Sequence, residues 1–273
     1  MIKKKVFQDI PRYQINEDEL HFAQHEGRVI VRDPITKTVI LEKWNKVILP
    51  GSFYTLQKHF PGIKLPVQLP NYNKELDLDN TVALTPEEKL NEIVVLFAMG
   101  TDGCGPEGSQ IYDVDYTKWI DKDHLIPFRY CISDNDLNDE LRGKYFGRKE
   151  LKELDRVAYF FKAFDADPIC KSIYMDGTPV DENVYTSENK QKVRTYVELT
   201  MSVNKYDFRD YYEATIGINN CEVNTISLLT AYPKTIDGYT VYQDIQPLTK
   251  LNFSNESLRD LTKGIDITYQ IYY

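Results

Sequence analysis

The residues Ile265-Asp266-Ile267-Thr268-Tyr269-Gln270-Ile271-Tyr272-Tyr273 decide the fold class. Ile265, Ile267, Tyr269, Ile271 and Tyr273 alternate strictly with Asp266, Thr268, Gln270 and Tyr272. A period of two places one set of side chains on each face of a pleated strand, so this stretch predicts a half-buried β-strand. Terminal residues fray unless they are tied down. An aromatic, β-branched strand at this position is therefore expected to be pinned into a sheet, with its odd-numbered residues inward.

Upstream, the same logic finds further strands. Arg28–Arg32 and Val39–Lys43 are β-branched runs around Asp33-Pro34-Ile35-Thr36, a hairpin signal. Lys46–Leu49 extends the second run and stops at Pro50-Gly51. Ser52 is then placed to cap a short helix carrying Phe53, Leu56 and Phe60 on one face. Ile93–Met99 is unbroken apolar sequence bounded by glycines, as in a strand buried on both faces. Residues 157–164 fit a helix end or a strand, and their aromatic content favours the strand. Val197, Leu199, Met201 and Val203 alternate inward along 195–204. Residues 216–231 are apolar with polar interruptions, and Thr249, Leu251 and Phe253 form another alternating run. Ser254–Leu261 is expected to make about two helical turns. Asp-Gly pairs at 102–103, 176–177 and 237–238 suit tight turns.

These elements predict a mainly β protein, a β-sandwich-like core with a few short helices and long irregular loops, with an α+β arrangement as the alternative. Residues 1–27 read as a polar arm. Residues 28–100 together with 194–273 read as the core, and 101–193 as a loop-rich insertion upon it. Residues 61–91, rich in Pro, Asn and Asp, read as an irregular passage.

Composition narrows the function. The chain has 273 residues, enough for a sizeable core, and 20 are tyrosine. Tyrosine suits pleated, half-buried surfaces and interfaces. A net charge of −9 argues against a broad nucleic-acid surface or binding to anionic membranes. No apolar run approaches the roughly 18 residues of a membrane span. Cys104, Cys131, Cys170 and Cys221 lie far apart, without zinc-ligand spacing. With no leader-like segment after Lys3-Lys4-Lys5, they are expected to be reduced thiols in a cytoplasmically made protein.

No constellation of catalytic residues emerges. Gly100–Ser109 has the glycine spacing of a phosphate loop but lacks its Lys and Ser/Thr, and Pro106 opposes a following helix. Cys104 within it is the sharpest candidate nucleophile. None of His21, His25, His59 and His124 is its evident partner, so a structural glycine turn is expected. Asp134–Glu140 places oxygens at positions one, three and five of a calcium loop, but Asp139 stands where Gly belongs and Tyr145 where Glu belongs. A solvated acidic turn is the expectation there. Asp113, Asp115, Asp121 and Asp123 are paired only in sequence. No catalytic, cofactor-binding or metal-binding residue is assigned.

Three blocks together carry a resemblance. They are Val31–Ser52; Leu96–Gly103 with Ile126-Pro127-Phe128-Arg129; and Asn224–Leu229 with Ile245–Phe253 and the terminal strand. In this order they resemble virion structural proteins of large tailed bacteriophages, components of the neck, tail or baseplate. The resemblance implies a non-enzymatic assembly protein that joins neighbouring subunits and copies of itself, made and assembled in host cytoplasm and residing in the virion. It implies no cofactor, membrane or sequence-specific nucleic-acid partner. Two other classes are weighed beside it. One is a carbohydrate- or receptor-binding β-sandwich using surface aromatics, for which two tryptophans, Trp44 and Trp119, are few. The other is a thiol enzyme using the Cys104 loop.

Overall fold

The computed structural model describes residues 27–59, 68–105, 110–115, 117–174, 178–179, 193–204, 206–217, 222–257 and 264–272. The expected arm at 1–27, apart from Gly27, lies outside them, as do the Asp-Gly pair at 176–177 and the glycine loop's 106–109.

The first sheet is built on the two stretches with the clearest alternation. Strand β1 (Gly27–Arg32) pairs on one side with β2 (Val39–Val47) and on the other with β12 (Ile265–Tyr272). Strand β8 (Val193–Val203) pairs with β12, and β7 (Ile169–Tyr174) forms the outer edge. All these pairs are antiparallel. The order β2-β1-β12-β8-β7 puts β12 centrally, and its odd face is inward as expected: Ile267, Tyr269 and Ile271 are buried beside Leu199, Met201 and Val203.

The second sheet surrounds β3 (Ile93–Gly100). Strand β9 (Glu222–Ile236) lies on one side of it and β6 (Arg156–Ala163) on the other. The short β4 (Arg129–Ile132) shares that side of β6 with β3, while β5 (Tyr145–Leu151) takes the opposite side. Beyond β9 run β10 (Tyr239–Pro247) and β11 (Thr249–Ser257). The sheets join where β11 meets β2, at Thr249–Val47 and Lys250–Lys46.

Strand β3 has both faces buried because a layer covers each. Phe97 and Met99 enter the core between the sheets, while Leu96 and Ala98 enter a second core on the outer side. That second core receives Tyr72, Leu76 and Leu78 from the 61–91 passage. Its described part is therefore packed rather than merely irregular: Asn71 caps α2 (Tyr72–Glu75), and the buried Tyr72 hydroxyl donates to the Ile120 carbonyl at 2.7 Å.

Four expectations need correction. Residues 101–193 are not a peripheral insertion, because β4, β5 and β6 complete the second sheet and Phe128, Tyr145 and Tyr159 lie in the main core. The aromatic run at 157–164 is the expected strand, β6, but the charged stretch before it obscures β5, where Arg148 has partly buried partners in Asp79 and Asp136. Helix α1 (Leu49–His59) starts before Ser52, whose N–H donates to the Ile48 carbonyl. Pro50 fits that first turn, where no N–H is needed. Residues 254–257 continue β11 because β9 offers it a partner to Ser257. Of the described Asp-Gly pairs, Asp237-Gly238 makes the β9–β10 hairpin with both residues at positive φ, whereas Asp102-Gly103 is not such a turn.

Candidate functional site

The Cys104 loop is bound to the sheet. The Cys104 thiol is buried and donates to the Phe253 carbonyl at 2.8 Å. Gly103 donates its N–H to Asn224 Oδ1 at 2.7 Å, and a Cβ there would sit 2.1 Å from the Asn224 carbonyl oxygen. Glycine is required for that close approach. Asp102 accepts from Thr225 Oγ1 at 2.9 Å and from Lys250 Nζ at 2.7 Å, a largely buried ion pair. The nearest described histidine in sequence, His124, is exposed and lies 3.5 Å from Thr101 Oγ1. The described part of the loop is thus held against β9 and β11 through Gly103, Asp102 and Cys104.

The other candidates separate. His21, His25, Cys221 and the side chain of His59 lie outside the described residues. Asp115 and Asp121 each accept the N–H two residues on, as turn-forming carboxylates do. Burial pushes the Cys131 thiol upward, away from thiolate character. Among the described residues, no group of three or more His, Cys, Asp or Glu side chains is placed to hold a metal.

Two polar clusters were not legible from spacing. The first locks the layers together. Lys162 on β6 meets Asp207, after β8, at 2.7 Å, with side chains only 4% and 0% exposed. Lys162 also donates to the Ser202 carbonyl at 2.8 Å. Asp207 accepts from the Tyr145 hydroxyl at 2.6 Å and the Asn204 N–H at 2.8 Å. Both ionic groups are thus satisfied, as a buried pair demands.

The second centres on Asp136, within the predicted acidic turn. Its carboxylate is 14% exposed rather than freely solvated. It accepts from the Tyr159 hydroxyl at 2.6 Å, the Leu137 N–H at 2.7 Å, Arg148 Nε at 3.1 Å and Arg142 Nη2 at 3.3 Å. Burial acts to raise its pKa, but Tyr159, Leu137 and Arg148 outweigh burial and hold the carboxylate below the usual 3.8. Asn138 caps α3 (Asp139–Arg142) by accepting from the Leu141 N–H. The acidic run therefore serves arginines, a tyrosine and a helix cap.

Beside Asp136, a cleft of about 250 Å³ opens between β5 and β10, the strands bordering opposite sides of the second sheet. Phe146, Arg148, Tyr239 and Tyr242 contribute to its walls. A separate slot between the two sheets is lined by aliphatic and aromatic side chains, including Val29, Leu41, Leu251, Phe253 and Ile265.

Compared with protein-family models, curated proteins and solved structures, the chain has no match.

Proposed function

We infer that this chain is a non-enzymatic structural component of a tailed-phage virion, joining neighbouring subunits in the neck, tail or baseplate. The observation that carries this reading is the β1–β2 hairpin. Ile35 is 68% exposed, and Val39 and Ile40 are about half exposed on the same ribbon. Ile40 also borders the apolar slot between the sheets. Apolar groups gathered at one edge and continuous with an apolar slot are the surface chemistry of protein contacts. The Lys162–Asp207 lock and the central β12 give that edge a rigid support. The ordered resemblance of the three sequence blocks points the same way.

The test is quantitative mass spectrometry of purified phage particles that encode the chain, with a density map of the particle. Peptides at a fixed copy number per particle, and density matching the two sheets, are expected. Absence of the chain from infectious particles would overturn the reading. Ile35→Asp combined with Ile40→Asp should leave the isolated chain folded but exclude it from particles. Normal incorporation would move the assembly contact elsewhere.

A further inference from the structure

The cleft between β5 and β10 has a chemistry that the assembly reading does not use. Its position follows from the topology: β5 pairs with β6 and β10 with β9, so the gap lies between two strand edges. Part of that gap is already bridged. The Asp79 N–H donates to the Arg148 carbonyl on β5, and Asn73 Nδ2 donates to the Tyr242 carbonyl on β10. What remains is about 250 Å³. That suits a small ring compound better than an extended peptide, which needs a length of open edge.

Charge excludes the commonest ionic ligands. Arg148 pairs with Asp79 and Asp136, and Arg142 pairs with Asp136. Asp237 adds a further carboxylate at the rim. The two arginines are therefore matched or outnumbered, which disfavours a phosphate, and they occupy Asp79 and Asp136, which leaves one lining carboxylate, Asp237, to face a cation. The ligand that fits is neutral.

Aromatic geometry narrows it further. The Phe146 and Tyr242 rings meet edge to face, with centroids 4.7 Å apart and planes at 72°, so they form no parallel slot for a flat heteroaromatic base. Tyr239 is 41% exposed at the mouth, with the Arg142 guanidinium 5.6 Å from its ring centroid. One exposed ring face beside fixed carboxylates, an amide and guanidinium donors matches a molecule with an apolar face and a hydroxyl-bearing edge.

The rim turns tightly at three points. Asn80 and Asp237, both lining the cleft, have φ of 59° and 51°, and Gly147 has φ of 68°. Gln243 fixes the Asn80 segment by accepting from the Val82 N–H at 2.9 Å and donating to the Asn80 carbonyl at 3.0 Å. Those bonds hold the rim in one shape before a ligand arrives.

We propose that the β5–β10 cleft binds a neutral saccharide, one or two rings long, with Tyr239 against the sugar's apolar face and Asp79, Asn80 and Arg148 among the groups meeting its hydroxyls.

The intact chain is applied to an array of neutral and sialylated glycans. Hits are then titrated calorimetrically beside maltose, cellobiose, lactose and chitobiose. At least one neutral saccharide should bind, and Tyr239→Ala should weaken it at least tenfold without changing the melting temperature by more than a few degrees. Thr240→Trp, a bulky group at a residue lining the cleft, should act likewise, while Trp44→Ala on the other sheet should leave binding unchanged. Absence of neutral-glycan binding, binding confined to sialylated glycans, or affinity unaltered by both cleft variants would overturn the proposal. Sugar binding is read on the free chain and particle incorporation on the virion, so either reading can fail alone.

Discussion

Lys162→Met is the sharpest test of how the two layers are held together. Lys162 Nζ is buried with three close neighbours: Asp207 Oδ2 at 2.7 Å, the Ser202 carbonyl at 2.8 Å and the Tyr145 ring centroid at 5.4 Å. Methionine fills most of the same volume but leaves the Asp207 carboxylate, 0% exposed, with the Tyr145 hydroxyl, the Asn204 N–H and no cation. Removing one partner of a buried pair costs about 3–5 kcal/mol, because the surviving charge stays out of water. That is a large part of a typical net stability of about 5–15 kcal/mol. At about 2–4 °C per kcal/mol for a chain near this size, the melting temperature should fall by about 6–20 °C. Adding Asp207→Asn removes the orphaned charge and should recover about 1–2 kcal/mol, the signature of coupled neighbours. Urea unfolding followed by fluorescence and circular dichroism gives both midpoints, with the slope checking that the unfolded states are comparable. A Lys162→Met midpoint equal to the parent's, or a double variant no better than the single one, would refute the interlayer lock.

Acid titration should divide the buried carboxylates by sign. Asp136 is held below 3.8, so its contribution is present above that pH and is lost as pH falls through the lowered folded value. Asp136→Asn should therefore destabilise at pH 7 by about 1.5–3 kcal/mol, with the deficit closing as pH falls through the lowered folded value. Glu92 behaves oppositely. Burial raises it above 4.5 despite hydrogen bonds from Thr230 and Tyr232, so folding favours its protonated form and that contribution disappears as pH rises through the folded value. Glu92→Gln should raise the melting temperature at pH 7 and have little effect below about pH 4. Native thiol labelling should modify the exposed Cys170 fast and the buried Cys104 and Cys131 slowly, as single-cysteine variants would show; fast labelling of Cys104 would reopen a catalytic reading of its loop. Gly103→Ala should cost at least about 1–3 kcal/mol, measured by thermal melting, because its Cβ meets backbone rather than a movable side chain.

Local periodicity determined a good deal by itself. Alternation identified β12 and β8 with their inward faces, the unbroken apolar run identified β3 as doubly buried, and Asp237-Gly238 marked a hairpin turn. These features depend on which side chains face each other along one strand, and that is written in residue order. The partners of those faces are not. Residues 157–163 were legible as a strand from their aromatic content. Arg148 and Asp136 make the stretch before them look charged and loop-rich, yet they pair with each other across separate elements and Arg148 lies on β5. Ser254–Ser257 has helical spacing locally but follows β9 into the sheet, since a paired strand edge satisfies its backbone and an isolated two-turn helix does not. The cleft was invisible for the same reason. Phe146, Tyr239 and Asp79 are far apart in the chain, and only the positions of β5 and β10 beside the bridging 71–82 segment bring them around one space. Residue order specified the strands with clean alternation or an unbroken apolar run, β1, β2, β3, β8 and β12; long-range pairing decided the rest, which charges are buried and where a ligand has room.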